Sequence, residues 1–112
     1  MITSCVMREK NWQVSYHPAT QKELAKLPAD LQARLLRLAD MLGIHGPVLP
    51  MPDNRKIDKE LFELRAKSLS GIARALYTVR DGQIILILTV FQKKDRRLRK
   101  HDINRAKSRA KS

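Results

Sequence analysis

A single cysteine, Cys5, in 112 residues leaves no internal disulfide framework and no cysteine-built zinc cluster. Four glycines are too few for a glycine-rich nucleotide loop. Apolar runs are short: the longest, Ile84 to Val90 with Thr89 counted in, cannot span a bilayer. Ile2 to Met7 has no basic leader and no sustained apolar stretch, so no signal peptide is expected. His17, His45 and His101 stand apart, and no Asp/Glu/His spacing fits a metal-ligand motif. No metal and no cofactor is expected. The length predicts one soluble, cytoplasmic domain over residues 1–112, with residues 1–10 as a flexible leader.

What is plentiful is positive charge. Lys and Arg number 23 against 11 Asp and Glu, a formal net charge of +12. The excess is lopsided. Residues 1–54 hold 6 basic and 5 acidic groups, whereas residues 55–112 hold 17 basic and 6 acidic ones. A domain that gathers cations in one half repels itself there unless a polyanion is its partner, and nucleic acid is the commonest such partner.

Periodicity predicts the elements. Trp12, Val14 and Tyr16 alternate with Gln13 and Ser15, which is a short strand. A short helix is expected over Ala19 to Leu27, broken at Pro28. A second follows, with Leu31, Leu35, Leu38 and Leu42 as an apolar stripe that Leu36 and Ala39 widen. Gly43 is placed to stop it. The proline-rich stretch His45 to Arg55 reads as a loop. Leu61–Ala66 and Ala73–Val79 then return to period two. Asp81-Gly82 is a hairpin signal, and Ile84–Phe91 reads as a central strand apolar on both faces. A last helix is expected from Asp102 as N-cap, with Ile103, Ala106 and Ala110 as its apolar seam. The fold class is α+β: a two-layer domain with an N-terminal strand, a helical hairpin packed on an antiparallel sheet, and a C-terminal helix.

The alternation places Leu61, Glu63 and Arg65 on one face of their strand, and Arg74, Leu76 and Thr78 on one face of the next. Arg65 and Arg74 are expected on the uncovered side of the sheet. Lys93, Lys94, Arg96, Arg97, Arg99 and Lys100 form the basic rim beyond the central strand. Such a face outlines a phosphate-binding surface. A metal-free enzyme can cleave RNA on it, because the substrate supplies its own 2′-OH nucleophile. The protein must align that oxygen, neutralise the phosphorane and move two protons.

The run Leu61-Phe62-Glu63-Leu64-Arg65, then Ala73-Arg74-Ala75-Leu76-Tyr77, then Asp81-Gly82 and Ile84–Phe91 followed by Gln92-Lys93-Lys94, resembles the RelE/ParE toxin superfamily, in its phage-derived HigB-like branch. The resemblance covers about residues 12–110. It implies a RelE-like toxin of a type II toxin–antitoxin pair. Such toxins are mostly mRNA interferases acting on the ribosome, and the HigB-like ones pair with a helix-turn-helix, HigA-like antitoxin. Carried over, Arg74 contacts the scissile phosphate, Arg65 is the arginine of the Glu-Leu-Arg motif, and Lys93 and Lys94 lie near the active site. Phe91, ahead of that pair, packs rather than stacks on a base. Lys56, Arg96, Arg97, Arg99 and Lys100 are RNA-binding candidates. The chain departs from RelE-type enzymes where Leu61 and Glu63 replace lysines and where no tyrosine follows Tyr77. Glu63 as base, Lys56 reaching in from the loop and His101 as acid or base stay open. So do two other readings: a ParE-like toxin that binds DNA gyrase without cutting RNA, and a decayed member that only binds RNA.

Overall fold

The structure, a computed structural model, describes residues 12–47, 54–93 and 100–111. In chain order these form β1 (Gln13–Tyr16), α1 (Thr20–Ala25), α2 (Ala29–His45), β2 (Asn54–Lys56), β3 (Phe62–Ser68), β4 (Gly71–Arg80), β5 (Ile84–Lys93) and α3 (Lys100–Lys111). The strands make one sheet in the order β1-β5-β4-β3-β2. The expected α+β fold with its helical hairpin, sheet and C-terminal helix is present.

Period explains the first core. Leu31, Leu35, Leu38 and Leu42 sit on one stripe of α2 and are all buried against Leu64, Ala66, Ala73, Ala75, Tyr77, Ile85 and Ile87 of the sheet. Each such leucine removed from water stabilises the fold by roughly 1.5–3 kcal/mol. Trp12, Val14 and Tyr16 pack on the same cluster. Leu36 lies off the stripe and is exposed, while Ala39 is buried.

The turns follow their residues. Asp81 and Gly82 both have positive φ, 50° and 75°, the backbone a tight right-twisted hairpin requires. α2 does not stop at Gly43 as expected. Gly43 is buried within the helix, its carbonyl accepts the Trp12 amide at 3.0 Å, and the helix runs on to His45. It ends at Gly46, whose φ of 101° disfavours other residues and whose approach to the Trp12 ring leaves little room for a side chain.

Five other expectations are corrected. α1 is shorter than predicted, and the stretch read as loop contributes the three-residue strand β2. The sheet is antiparallel only from β5 to β2, because β1 pairs parallel to β5. The chain leaves β1 through two helices and re-enters at the opposite edge, so β1 can meet β5 without a hairpin. Asp102 lies inside the first turn of α3 rather than capping it. Finally, the fold has a third layer. Ala106, with Ile103 and Ala110, packs α3 on Leu61, Leu76 and Leu88, the sheet face opposite the leucine stripe. A register shift between Leu76 and Tyr77 sets Leu88 and Thr89 between the inward-facing Ile87 and Val90. Among the described residues no helix is long and apolar enough to cross a membrane.

Candidate functional site

The face that carries α3 also carries the candidate site. Antiparallel register sets Arg55 of β2 opposite Glu63 of β3, Arg65 of β3 opposite Arg74 of β4, and Arg74 opposite Phe91 of β5. Facing residues in such ladders lie about 4.5–5.5 Å apart at Cβ, and diagonal ones remain within reach of long side chains.

Within this lattice Glu63 and Arg74 are enclosed. Glu63 is 0% and Arg74 1% exposed. Arg74 Nη1 lies 3.2 Å from Glu63 Oε2, and Arg55 Nε lies 3.2 Å from Glu63 Oε1. One buried carboxylate is therefore shared by two guanidinium groups. Arg74 does face away from the leucine stripe, as the alternation requires. It does not project from an uncovered side: it is buried, and α3 packs on the same face at Leu61, Leu76 and Leu88. Nor does Glu63 pair with Arg65. Arg65 is half-buried and has no ion-pair or hydrogen-bond partner among the described residues.

The other candidates divide. Lys93 ends β5 in register with Ile72. Lys94, Arg96, Arg97 and Arg99 lie outside the described residues. Lys56 does not reach in toward Glu63. It pairs with Phe62, one residue out of phase with Arg55, and its Nζ stands 5.9 Å above the Phe62 ring on the helix-hairpin side. Lys100 and His101 open α3, both exposed, with His101 Nε2 3.4 Å from Asp102 Oδ1. Phe91 packs into the second cluster, with the Arg105 guanidinium 5.8 Å from its ring centroid.

Sequence reasoning misses Arg55, because it sits in a stretch punctuated by prolines that reads as loop. The signal available was parity: Asn54 and Lys56 turn one way, and Arg55 the other. It also missed an acid-centred network at the outer edge of β5. Glu23 of α1 accepts from the Val90 amide at 3.0 Å, the Thr89 hydroxyl at 3.2 Å and Arg109 Nη1 at 3.0 Å. Arg105 donates to Thr89 Oγ1 at 3.1 Å and to Asp102 Oδ1 at 2.9 Å. This network fastens α3 across the sheet. A second fastening joins Lys107 Nζ to Asp58 Oδ2 at 2.8 Å, and that bond and charge hold the Asp58 carboxyl below its ordinary range.

Chemically, the face offers three guanidinium groups around one buried carboxylate. Such an arrangement is suited to holding an oxyanion, because planar guanidinium forks match phosphate oxygens.

Comparison with known proteins agrees with this geometry. A family described as phage-derived protein Gp49-like matches residues 22–111. No curated protein sequence matches the chain. Among solved structures, a double-arginine mutant of the Escherichia coli toxin RelE in the free state superimposes with a TM-score of 0.67 at 11% identity, covering 88% of this chain and 97% of that one. The Mycobacterium tuberculosis toxin–antitoxin complex RelBE2 gives 0.57 at 22% identity, covering 74% and 99%. The Pyrococcus horikoshii RelE–RelB complex gives 0.53 at 24% identity, covering 77% and 99%. At these identities the likeness shows a shared RelE fold.

Proposed function

The chain belongs to the phage-derived Gp49-like family, and from that premise we propose that it is the toxin of a type II toxin–antitoxin system, an endoribonuclease that cleaves mRNA on the ribosome in the cytoplasm. The observation that carries this reading is the arginine lattice of Arg55, Arg65 and Arg74 on one sheet face, in a half of the chain with 17 basic and 6 acidic groups.

The reaction proceeds by attack of the 2′-OH on the adjacent phosphorus; the 2′-oxygen loses its proton, the bond to the next nucleotide's 5′-oxygen breaks, that oxygen leaves as a protonated hydroxyl, and a 2′,3′-cyclic phosphate remains. Arg65 and Arg74 set a positive potential where the phosphorane gains charge, and fixed donors are worth most where charge develops. Lys93 and Lys94 extend that potential along the RNA, with Lys56, Arg96, Arg97, Arg99 and Lys100 as further backbone contacts. Glu63 is buried between two arginines, so the base role suggested for it is disfavoured. His101, 65% exposed on the first turn of the helix that covers this face, is the better group for proton transfer. A helix-turn-helix, HigA-like antitoxin is the expected partner. The enclosure of Glu63 also favours a second reading, in which the chain binds RNA without cutting it.

The test is to add the protein to translating ribosomes and map new mRNA 5′ ends. Codon-linked cuts are expected. Ribosome or RNA binding without cuts establishes the second reading. Gyrase–DNA cleavage complexes without RNA cuts make the chain a ParE-like toxin instead. Co-expression of the neighbouring reading frame should relieve growth arrest if that frame encodes the antitoxin.

A further inference from the structure

We propose that Arg55 is a phosphate-binding residue for an RNA chain and that Glu63 is the residue that positions it. This rests on the reading of the sheet face as an RNA surface.

The closest approach of Arg55 to Glu63 is an ion pair from Nε, at 3.2 Å. Its two terminal nitrogens make no hydrogen bond among the described residues, and its side chain is 46% exposed. A guanidinium whose Nε side faces a buried carboxylate leaves its outer edge toward solvent. That edge holds the fork that binds two oxygens of a phosphate at once. A surface arginine normally gives up rotamer entropy on binding, and the anchor has removed part of that cost beforehand.

The neighbours fix the ligand's charge. Arg55, Arg74 and Glu63 together carry +1, and Arg65 raises the cluster to +2. Arg65 is two residues along β3 from Glu63 and therefore diagonal to Arg55 across the β2–β3 ladder. Long side chains reach each other across such a diagonal. Arg55 and Arg65 can thus share one phosphodiester, while Arg74 holds Glu63 from beneath.

The experiment measures binding of a fluorescently labelled, mixed-sequence single-stranded RNA across a salt series, alongside thermal melts. Arg55→Gln should weaken binding about tenfold and reduce the slope of log K against log salt by about one. Arg55→Lys keeps the charge but lacks the fork, and should recover the slope without recovering the affinity. Glu63→Gln is the decisive variant. It raises the net charge by one, so bulk electrostatics alone would tighten binding. A positioning role requires weaker binding, at a temperature where the melt shows the protein folded. If Glu63→Gln does not stay folded, the two Arg55 variants decide. Wild-type affinity in Arg55→Gln, or full rescue by Arg55→Lys, overturns this site and leaves the RNA reading standing. A wild-type protein that does not bind RNA at all overturns both.

Discussion

The buried ion pair of Arg74 and Glu63 makes Arg74 a stability residue whatever else it does. Arg74→Met removes the guanidinium and leaves Glu63, 0% exposed, with only Arg55 as partner at the solvent edge. Stripping one member from a buried pair costs about 3–5 kcal/mol, because the remaining charge keeps its desolvation penalty. A domain of this size has a total stability of about 5–15 kcal/mol. Its unfolding entropy converts each kcal/mol into about 4 °C of Tm. Arg74→Met should therefore lower Tm by about 12–20 °C. Glu63→Leu combined with Arg74→Met should recover most of that loss, since apolar side chains of similar volume replace a buried pair at little or no net cost. Circular dichroism melts of the wild type, both single variants and the double variant supply the cycle. A single variant that melts within a few degrees of wild type refutes the reasoning. So does a double variant no better than the worse single one. Any activity lost in Arg74→Ala must accordingly be read at a temperature where the variant is folded.

Three further perturbations test other parts of the structure. Hydrogen bonds from the Ser70 hydroxyl and amide hold the Asp30 carboxyl down, from 3.8 to about 2. A carboxyl lowered on folding stabilises above its unfolded value and loses that contribution as pH falls toward its folded one. Asp30→Asn should therefore flatten the Tm profile between about pH 4 and 2, and an unchanged acid limb contradicts the bond. Burial pushes the Tyr77 hydroxyl up to about 12 while it accepts from Asn54 Nδ2 and donates to the Pro47 carbonyl. Here the protonated form is favoured by folding, so stability is complete below about pH 10 and drains away as pH rises toward 12. Tyr77→Phe should cost about 1–3 kcal/mol in urea titrations and abolish that alkaline limb. Gly46→Ala combines a positive φ with a Cβ 3.2 Å from Trp12 Nε1. It should cost about 1–3 kcal/mol in the same assay, and a neutral outcome would mean that α2 ends elsewhere.

How far the sequence could be read depended on whether the signal was local. The leucine stripe of α2, the period-two strands β3 and β4 and the Asp81-Gly82 turn each follow from residues a few positions apart. Pairing of β1 with β5 joins Gln13 to Ile84, and nothing local announces such a contact. The same limit hid the environment of Arg74. Alternation put it on the correct face, but only α3 reveals that the face is covered. α3 is strongly hydrophilic, and its seam of Ile103, Ala106 and Ala110 is too thin to distinguish a covering helix from a solvated tail. Arg55 was missed for a related reason. A three-residue strand has too few positions to show a period, so its parity became visible only through the partner strand.

Glu23 shows how one side chain can serve both faces of a sheet. β1 pairs with β5 only over Ile84 to Ile87, so β5 runs on beyond it with an edge that has no strand beside it among the described residues. An open edge is a template for pairing with another chain, and natural folds cover such edges with a charge or a helix. Here α1, beyond contributing Leu24 to the core, sets its one acid against that edge. Glu23 Oε1 takes the Val90 amide, and Arg109 Nη1, bound to the same carboxylate, takes the Leu88 carbonyl 3.0 Å away. One donor and one acceptor of the edge are thus closed by a carboxylate from one helix layer and a guanidinium from the other. The same ion pair ties the opposing layers together around the side of the sheet. That tie compensates for the thinness of the apolar seam under α3. A helix so rich in arginine and lysine can stay docked because its charges meet carboxylates, Glu23 and Asp58, supplied from elsewhere in the fold.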